Sequence, residues 1–221
     1  MCGRFAISLP SDAMAQLFQA APANDLPELP NYNVCPTTQI HVVYRAEEGR
    51  RLVPMRWGFV PHWYKSATDG PLLINARAES IAEKPAFRTA CRQRRCLIPA
   101  DGFYEWHRPA EGVKQPWFVT PSEPGPMVFA GIWQSWEEAG MQRHSCAIVT
   151  TEAQGRMAEI HHRIPVMLTP SMWAKWLGEA GHGAARLMRA APDAELSFRR
   201  VSTDVNSNRA TGPELIEDID R

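Results

Sequence analysis

Proline constrains the fold of this chain more than any other residue type. The 221-residue sequence contains 19 prolines, which is above the usual share of about 5%. Together with glycine, they divide the apolar sequence into short runs, such as residues 40–45, 95–99 and 103–107. Runs of this length between Gly and Pro are typical of strands. The sequence therefore predicts a strand-rich, loop-rich protein rather than a helical bundle.

Helices are a minority in this pattern. Ser11 can cap a helix over residues 11–20, where Met14, Leu17 and Phe18 share one face. Further helices are predicted at residues 84–94, 152–160, 171–177 and 184–190, whereas residues 21–36, with four prolines, are predicted to form an ordered loop. Because strands and helices do not alternate strictly, the pattern argues against a doubly wound parallel sheet. We predict an α+β fold, with a curved, barrel-like mixed β-sheet core and peripheral helices, in one domain spanning residues 1–221.

Composition narrows the environment and the partners. The formal net charge is zero, so binding to a nucleic acid would need a local basic patch. Five cysteines without zinc-type spacing predict free thiols in a reducing compartment and no metal site. The first ten residues lack the apolar segment of a secretory signal, and no apolar stretch approaches the roughly 20 residues of a membrane helix. We expect a cytoplasmic monomer with no cofactor and no membrane contact.

The second residue, Cys2, is the most reactive candidate. Because small second residues generally permit removal of Met1, Cys2 can become the amino terminus. An α-amine with a pKa of about 7.7–8.0 and a thiol with a pKa of about 8.5 would then lie on adjacent carbons. The amine can condense with an aldehyde and the thiol can close a thiazolidine ring, or the thiol alone can attack an acyl carbon. The alternative is a small buried apolar residue behind a retained Met1.

Asn75 and Arg77 form a second candidate region. They follow a short apolar run, and strand ends that lead into loops commonly carry polar site residues. Asn75 can bind a substrate oxygen or orient the Cys2 amine, and Arg77 can hold a phosphate through its guanidinium group. The alternative is a turn amide beside a surface pair between Arg77 and Glu79.

Glu105 is the third candidate. An Asp-Gly turn signal precedes it, so it lies on the outgoing strand of a hairpin. Alternation puts Phe103 and Glu105 on one face of that strand, and Tyr104 and Trp106 on the other. A carboxylate flanked by aromatic side chains loses solvation, which raises its pKa toward the range useful for general acid–base catalysis. The alternative is an edge-strand glutamate that faces water.

His161 and His162 form the fourth candidate. In an extended segment, neighbouring side chains point to opposite sides, so one histidine is expected to be structural, while His161 and Arg163 share a side. Without carboxylate or cysteine ligands nearby, an imidazole that handles protons is favoured over a metal ligand.

Trp57 and Trp63 lie in a stretch rich in Gly and Pro. They can form a platform for unpaired bases, at about 1–3 kcal/mol per stacked base. Trp63, at the loop end, is the better candidate for base stacking. Ordinary core aromatics are the alternative for both.

Together these segments resemble the SOS-response-associated peptidase family, the abasic-site-processing proteins. The resemblance spans nearly the whole chain and rests on five ordered motifs. These motifs are Met1-Cys2-Gly3-Arg4, Trp57-Gly58 through Pro61, Asn75-Ala76-Arg77 with Glu79, Arg95-Cys96 through Glu105-Trp106, and His161-His162-Arg163-Ile164-Pro165. The sequence departs from the family at Ile164, where methionine is common; this apolar exchange conserves volume and should not disturb the site.

The resemblance implies a fold, a function and a set of site residues. It implies a barrel-like β core with a positively charged DNA groove, and covalent capture of abasic sites in single-stranded DNA through an N-terminal cysteine in the SOS response. The implied active-site residues are Cys2, Asn75, Glu105 and His161. Residues implied to contact DNA or to shape the site are Arg4, Arg77, Trp106 and Arg163.

The expected partner is therefore single-stranded DNA with abasic sites, which would bring the protein to the nucleoid. The imine that precedes the ring permits lyase behaviour by β-elimination as a side reaction, which ring closure would suppress. Removal of Met1 by the chain's own peptidase activity or by a cellular aminopeptidase stays open. Two other functions stay open. One is an N-terminal-nucleophile cysteine peptidase or amidohydrolase, in which Asn75 stabilises the oxyanion. The other is a single-strand binding module without a covalent step, whose binding would be salt-sensitive and independent of Cys2.

Overall fold

Two β-sheets organise the chain, and most of their strands form from the short apolar runs. The computed structural model describes residues 2–110 and 112–220. Within this part of the chain, strands β1 to β13 are Phe5–Ile7, Ala20–Pro22, Asn31–Val34, Gln39–Ala46, Gly49–Trp57, Asn75–Arg77, Arg95–Ala100, Gly102–His107, Gln115–Pro121, Met127–Glu138, Met141–Glu152, Arg163–Pro165 and Leu196–Arg200. Helices α1 to α4 are Ser11–Phe18, Arg88–Gln93, Gly155–Ile160 and Pro170–Leu177.

The larger sheet closes on itself. Its strand order is β12-β11-β10-β7-β4-β5-β2, and β6 pairs in parallel with β11. A second, parallel pairing of β11 with β5 places Ser145 opposite Arg56 and Cys146 opposite Trp57. Strands β11, β10, β7, β4 and β5 therefore form a closed five-stranded barrel of mixed direction. This closure confirms the predicted α+β fold with a barrel-like mixed β-sheet core.

The smaller sheet carries the start of the chain. Its order is β13-β9-β8-β1-β3, with antiparallel pairing throughout. It packs on the barrel through aromatic side chains: the Phe5 ring centroid lies 5.2 Å from that of Trp57 and 5.9 Å from that of Phe129. Burying each large apolar side chain contributes about 1.5–3 kcal/mol. This packing holds the residues just before β1 in the core.

The helices lie against the outside of this core. In α1, Met14 and Phe18 are buried, and the Phe18 ring centroid lies 4.7 Å from that of Trp173 in α4. Helix α4 starts at Pro170, whose missing N–H needs no partner in the first turn. It ends at Leu177, and the residue that follows, Gly178, adopts φ 81°. Among the described residues, no helix combines the length and apolar character needed to cross a lipid bilayer.

Four predicted elements differ from the structure. The predicted loop 21–36 contains most of β2 and all of β3, because β2 pairs with β5 and β3 with β1. The helix predicted at 152–160 begins only at Gly155, since β11 continues to Glu152. The helix predicted at 84–94 is shorter, and residues 184–190 contain a 3-10 turn over Ala184–Leu187. For residues 21–36 and for the start of the helix predicted at 152–160, strand pairing that local sequence does not reveal decides the conformation.

Candidate active site

Cys2 is held at the junction of the two sheets. Its side chain is fully buried in the main hydrophobic cluster. Asn75 Nδ2 donates a 2.9 Å hydrogen bond to the Cys2 carbonyl oxygen, and Asn75 is fixed in turn by the parallel pairing of β6 with β11. The Asn75 Oδ1 atom is buried, with no hydrogen-bond partner among the described residues. The site therefore has an acceptor available beside the backbone of Cys2.

Glu105 lies on β8 and is almost completely buried, with 2% of its surface exposed. Because β8 is flanked by β1 and β9, the alternative of an edge-strand glutamate facing water is wrong. The alternation is confirmed: Phe103 joins the main core, whereas Tyr104 lies in a second cluster that Trp106 packs against. Burial raises the pKa of Glu105 to about 7. Its carboxyl group can therefore both donate and accept a proton near neutral pH.

Glu105 acts electrostatically on Cys2. The β1–β8 register pairs Phe5 with Phe103, and the Tyr104 N–H donates to the Arg4 carbonyl at 2.9 Å, so the chain before β1 runs alongside Glu105. Burial and the charge of Glu105 together raise the pKa of the Cys2 thiol. The thiol is therefore protonated in this state and needs a base before it can act as a nucleophile.

His161 follows α3 and lies beside Glu105. Its Nδ1 atom is 3.7 Å from Glu105 Oε1 and accepts a 3.0 Å hydrogen bond from the Arg163 backbone N–H. The same Nδ1 atom lies 3.2 Å from the Arg163 carbonyl oxygen, so the Arg163 backbone offers Nδ1 both a donor and an acceptor and fits either tautomer of the neutral ring. Burial lowers the pKa of His161 to about 4, so the imidazole is uncharged at neutral pH and its contact with Glu105 is not an ion pair.

Arg163, whose side chain is buried, has a bidentate contact with the half-exposed Glu79. Its Nη1 and Nη2 atoms lie 2.9 and 2.8 Å from the two Glu79 carboxylate oxygens, and Nη2 also donates to the Thr150 carbonyl at 2.8 Å. These hydrogen bonds from Arg163 hold the pKa of Glu79 at about 2. Glu79 thus pairs with Arg163 rather than with Arg77, which is exposed. Arg163 orders the segment next to His161, and its Nη donors point into the protein.

Arg4 and Trp106 contact the C-terminal part of the chain. Arg4 donates to Asn33 Oδ1 at 2.6 Å, to the Val205 carbonyl at 2.8 Å and to Asn208 Oδ1 at 2.7 Å. Trp106 Nε1 donates to Asn206 Oδ1 at 2.6 Å, and its ring is half-buried. Both side chains therefore position residues 205–208 against the site.

The two candidate stacking residues differ in exposure. Trp57 is fully buried in the core, and its Nε1 donates to the Ile74 carbonyl at 3.0 Å. Trp57 therefore cannot present a face to a base, and that part of the predicted platform is wrong. Trp63 is 50% exposed and stays available as a stacking surface.

A polar pocket of about 430 Å³ opens beside Glu105. Its lining residues are Glu105, Trp106, Arg108, Lys114, His161 and Asn206. Arg108, Lys114 and Asn206 are not among the site residues predicted from the sequence; nothing in their local sequence sets Arg108 and Lys114 apart from other surface residues. Within residues 2–110 and 112–220, no group of three or more His, Cys, Asp or Glu side chains is arranged to hold a metal ion.

Known proteins match this sequence over nearly its whole length. A family model described as SOS response associated peptidase (SRAP) matches residues 1–208. The chain is 35% identical over 224 residues to "Abasic site processing protein YoqW" of Bacillus subtilis (strain 168), covering 98% of this chain and 99% of that protein. It is 31% identical over 227 residues to "Abasic site processing protein YedK" of Escherichia coli (strain K12), covering 99% and 100%.

A solved structure shows the same fold. The crystal structure of a protein from Bacteroides thetaiotaomicron superposes with a TM-score of 0.86, covering 98% of this chain and 99% of that chain at 23% identity. With the family model matching nearly the whole sequence, the chain belongs to the SOS response associated peptidase (SRAP) family.

Proposed function

We propose that this protein captures abasic sites in single-stranded DNA through a covalent bond to Cys2, after Met1 has been removed. Family membership and the names of its relatives support this function. The observation that carries the proposal is the convergence of Asn75 and Glu105 on a buried Cys2. A cysteine that only fills the core needs neither a hydrogen-bonded amide nor a carboxyl group of raised pKa beside it.

The first step uses the Cys2 amine. An α-amine has a pKa of about 7.7–8.0, so a useful fraction is unprotonated near neutral pH. The buried Oδ1 of Asn75 is the acceptor we assign to this amine, because a buried acceptor without a partner costs free energy. Held in this way, the amine nitrogen attacks C1′ of the open-chain abasic sugar and forms a carbinolamine.

Glu105 supplies the proton transfers. With a pKa of about 7, its protonated form donates a proton as the carbinolamine hydroxyl leaves as water, which gives the protonated imine (iminium). The resulting carboxylate takes the proton of the Cys2 thiol as sulfur bonds to the same carbon, which leaves the ring nitrogen neutral and regenerates protonated Glu105. The product is a thiazolidine ring, and the balance is the loss of one water. The neutral His161 forms a hydrogen bond with a sugar hydroxyl group.

Two further activities follow from the same intermediate and the same residues. An imine at C1′ permits β-elimination of the 3′ phosphate, so lyase activity competes with ring closure. Release of Met1 by the chain itself would be the peptidase event. Each of these activities is secondary to capture in this proposal.

The test mixes untagged protein with a single-stranded oligonucleotide that contains one abasic site. Denaturing electrophoresis and intact mass should show a heat-stable species with the mass of both components less one water. Cys2→Ala should abolish it, and Cys2→Ser should give at most a weaker adduct, because an alkoxide is scarce at neutral pH. Cys91→Ala is the matched control, since Cys91 lies on α2 away from the site, and it should react as wild type.

Three outcomes would contradict the proposal. A protein whose mass confirms a free Cys2 terminus but which forms no adduct would exclude covalent capture. An adduct that hydroxylamine cleaves would indicate a thioester and hence acyl transfer. Full activity with a tag placed before Cys2 would exclude any role for the α-amine.

A further inference from the structure

The pocket beside Glu105 is lined by two chemically different sets of residues. Glu105 and His161, whose closest atoms lie 3.7 Å apart, are the groups that handle protons in the proposed reaction. Arg108 and Lys114 are cations, and Trp106 and Asn206 complete the lining. A volume of about 430 Å³ lies within the usual range of about 300–1,000 Å³ for ligand pockets. The pocket therefore has room for a sugar together with a charged neighbouring group.

The hairpin between β8 and β9 brings the two cations together. His107 and Gln115 are the last paired residues of these strands. Arg108 and Lys114 come next on each strand, so they leave the sheet from facing positions and both are exposed. This arrangement results from backbone pairing and not from an attraction between the two side chains, which carry like charges.

Neither cation is neutralised by a carboxylate in the part of the chain that the structure describes. The ion pairs formed there join Arg50 to Glu179, Arg163 to Glu79 and Arg200 to Asp220. The pocket's single acidic lining residue, Glu105, is itself largely protonated below neutral pH. The charge of Arg108 lowers the pKa of both Glu105 and His161, which indicates that it acts across the same space. The described lining of the pocket is therefore net positive and suits an anion.

We propose that Arg108 and Lys114 bind a backbone phosphate adjacent to the abasic sugar, so that the pocket recognises the sugar and its phosphate as one unit. This inference rests on the proposed function and names a substrate contact for that same site. An arginine fork and a lysine ammonium group are both suited to a phosphodiester oxygen. A free aldehyde lacks this phosphate, and the site would therefore favour an abasic site within a DNA strand.

Binding of the phosphate would also change the acid–base pair. A phosphate beside Arg108 offsets the positive charge that lowers the pKa of Glu105. Binding should therefore favour the protonated carboxyl group, which is the form that the first proton transfer requires. Substrate contact and proton supply would thus be linked through one arginine.

The experiment measures binding with the Cys2→Ala protein, so that the result does not depend on the covalent step. Oligonucleotides with one abasic site carry a neutral methylphosphonate in place of the phosphodiester on the 5′ side or on the 3′ side. One of the two replacements should weaken binding about tenfold, the scale of one lost charged hydrogen bond. Introducing Arg108→Ala and Lys114→Ala together into the Cys2→Ala protein should weaken its binding to the unmodified oligonucleotide by a similar factor.

The decisive measurement is the binding of the Arg108→Ala/Lys114→Ala variant to the oligonucleotide with the sensitive methylphosphonate. If the cations bind that phosphate, the variant should lose no further affinity with the sensitive methylphosphonate, and the slope of log Kd against log salt should fall by about 0.7. If the two losses multiply, or if the variant binds like its Cys2→Ala parent, the inference is overturned. Arg143→Ala is the matched control, because Arg143 is exposed at the start of β11 and does not line this pocket. Failure of wild-type protein to form an adduct would count against the proposed function alone.

Discussion

At the scale of single residues, burial gives the Glu105 carboxyl group the pKa that its proposed catalytic role requires. Its pKa of about 7 lies near the pH at which it would work, where general acid–base catalysis is most effective. We predict that Glu105→Gln slows adduct formation about 100-fold or more and removes a pH dependence centred near pH 7. Single-turnover adduct formation, measured between about pH 5 and pH 9, checks this prediction. A variant that keeps the wild-type pH profile would exclude Glu105 as the proton donor.

The stability of the same variant serves as its control. Because the folded pKa of Glu105 is raised from 4.5 to about 7, its contribution to stability is full below pH 4.5 and is lost as the pH rises through 7. Glutamine does not ionise, so the variant should be more stable than wild type above pH 7, with the difference closing toward pH 5. A variant that is less stable at every pH would assign Glu105 to folding.

At the scale of elements, β8 shows which structural features the sequence predicts and which it does not. Its turn, its outgoing direction and the faces of Phe103 and Tyr104 follow from an Asp-Gly signal and a period of two. That β8 lies between β1 and β9 does not follow, because strand order depends on pairings between distant segments. Arg163 and Glu79 are 84 positions apart, and their contact could not be predicted for the same reason. The candidate residues were visible in sequence, but most of their partners were not.

The Arg163–Glu79 contact predicts an asymmetry between two substitutions. Arg163→Met removes a buried donor to the Thr150 carbonyl, so we expect the free energy of unfolding to fall by about 1–3 kcal/mol. Glu79→Gln should cost less than about 1 kcal/mol, because half of the Glu79 side chain is exposed and water can replace the lost charge. Urea unfolding of both variants measures the difference.

The Arg200–Asp220 pair provides a comparison for that asymmetry. Its side chains are 42% and 52% exposed, so Asp220→Asn should leave the unfolding free energy almost unchanged. Equal losses of unfolding free energy for Arg163→Met and Glu79→Gln would show that the pair acts as a unit and that the Thr150 contact makes no separate contribution to stability.

At the scale of the whole molecule, the barrel and the smaller sheet explain why a neutral chain can hold a charged site. A net charge of zero describes the whole sequence, whereas a ligand meets only the groups that line its pocket. Closure of the barrel through β5 and β11 depends on residues such as Arg56 and Ser145, which are distant in sequence. Composition therefore indicated the strand-rich class, and the architecture that collects the polar residues required the structure.

Buried histidines should make the whole fold sensitive to acid. Burial lowers the pKa of His41 and His161 to about 4, and lowers that of His144 as well. The unfolded chain binds protons at these groups near their usual pKa of about 6.5, so stability should fall as the pH drops from about 6.5 to about 4. Glu105 acts in the opposite direction over part of this range and offsets some of the loss.

The contribution of His41 to this acid sensitivity can be measured separately from the others. His41 lies on β4 and is 3% exposed, and its Nε2 atom is 3.3 Å from Ser11 Oγ in α1. At about 1.4 kcal/mol per pKa unit, it accounts for a loss on the order of 3 kcal/mol between pH 6.5 and pH 4. His41→Gln should flatten the pH dependence of the unfolding free energy by up to that amount, even if it lowers stability at every pH. His182→Gln, at an exposed position, should leave the slope unchanged. Urea unfolding measured between pH 6.5 and pH 4 tests this prediction. An unaltered slope of unfolding free energy against pH in His41→Gln would show that the acid sensitivity arises from other groups.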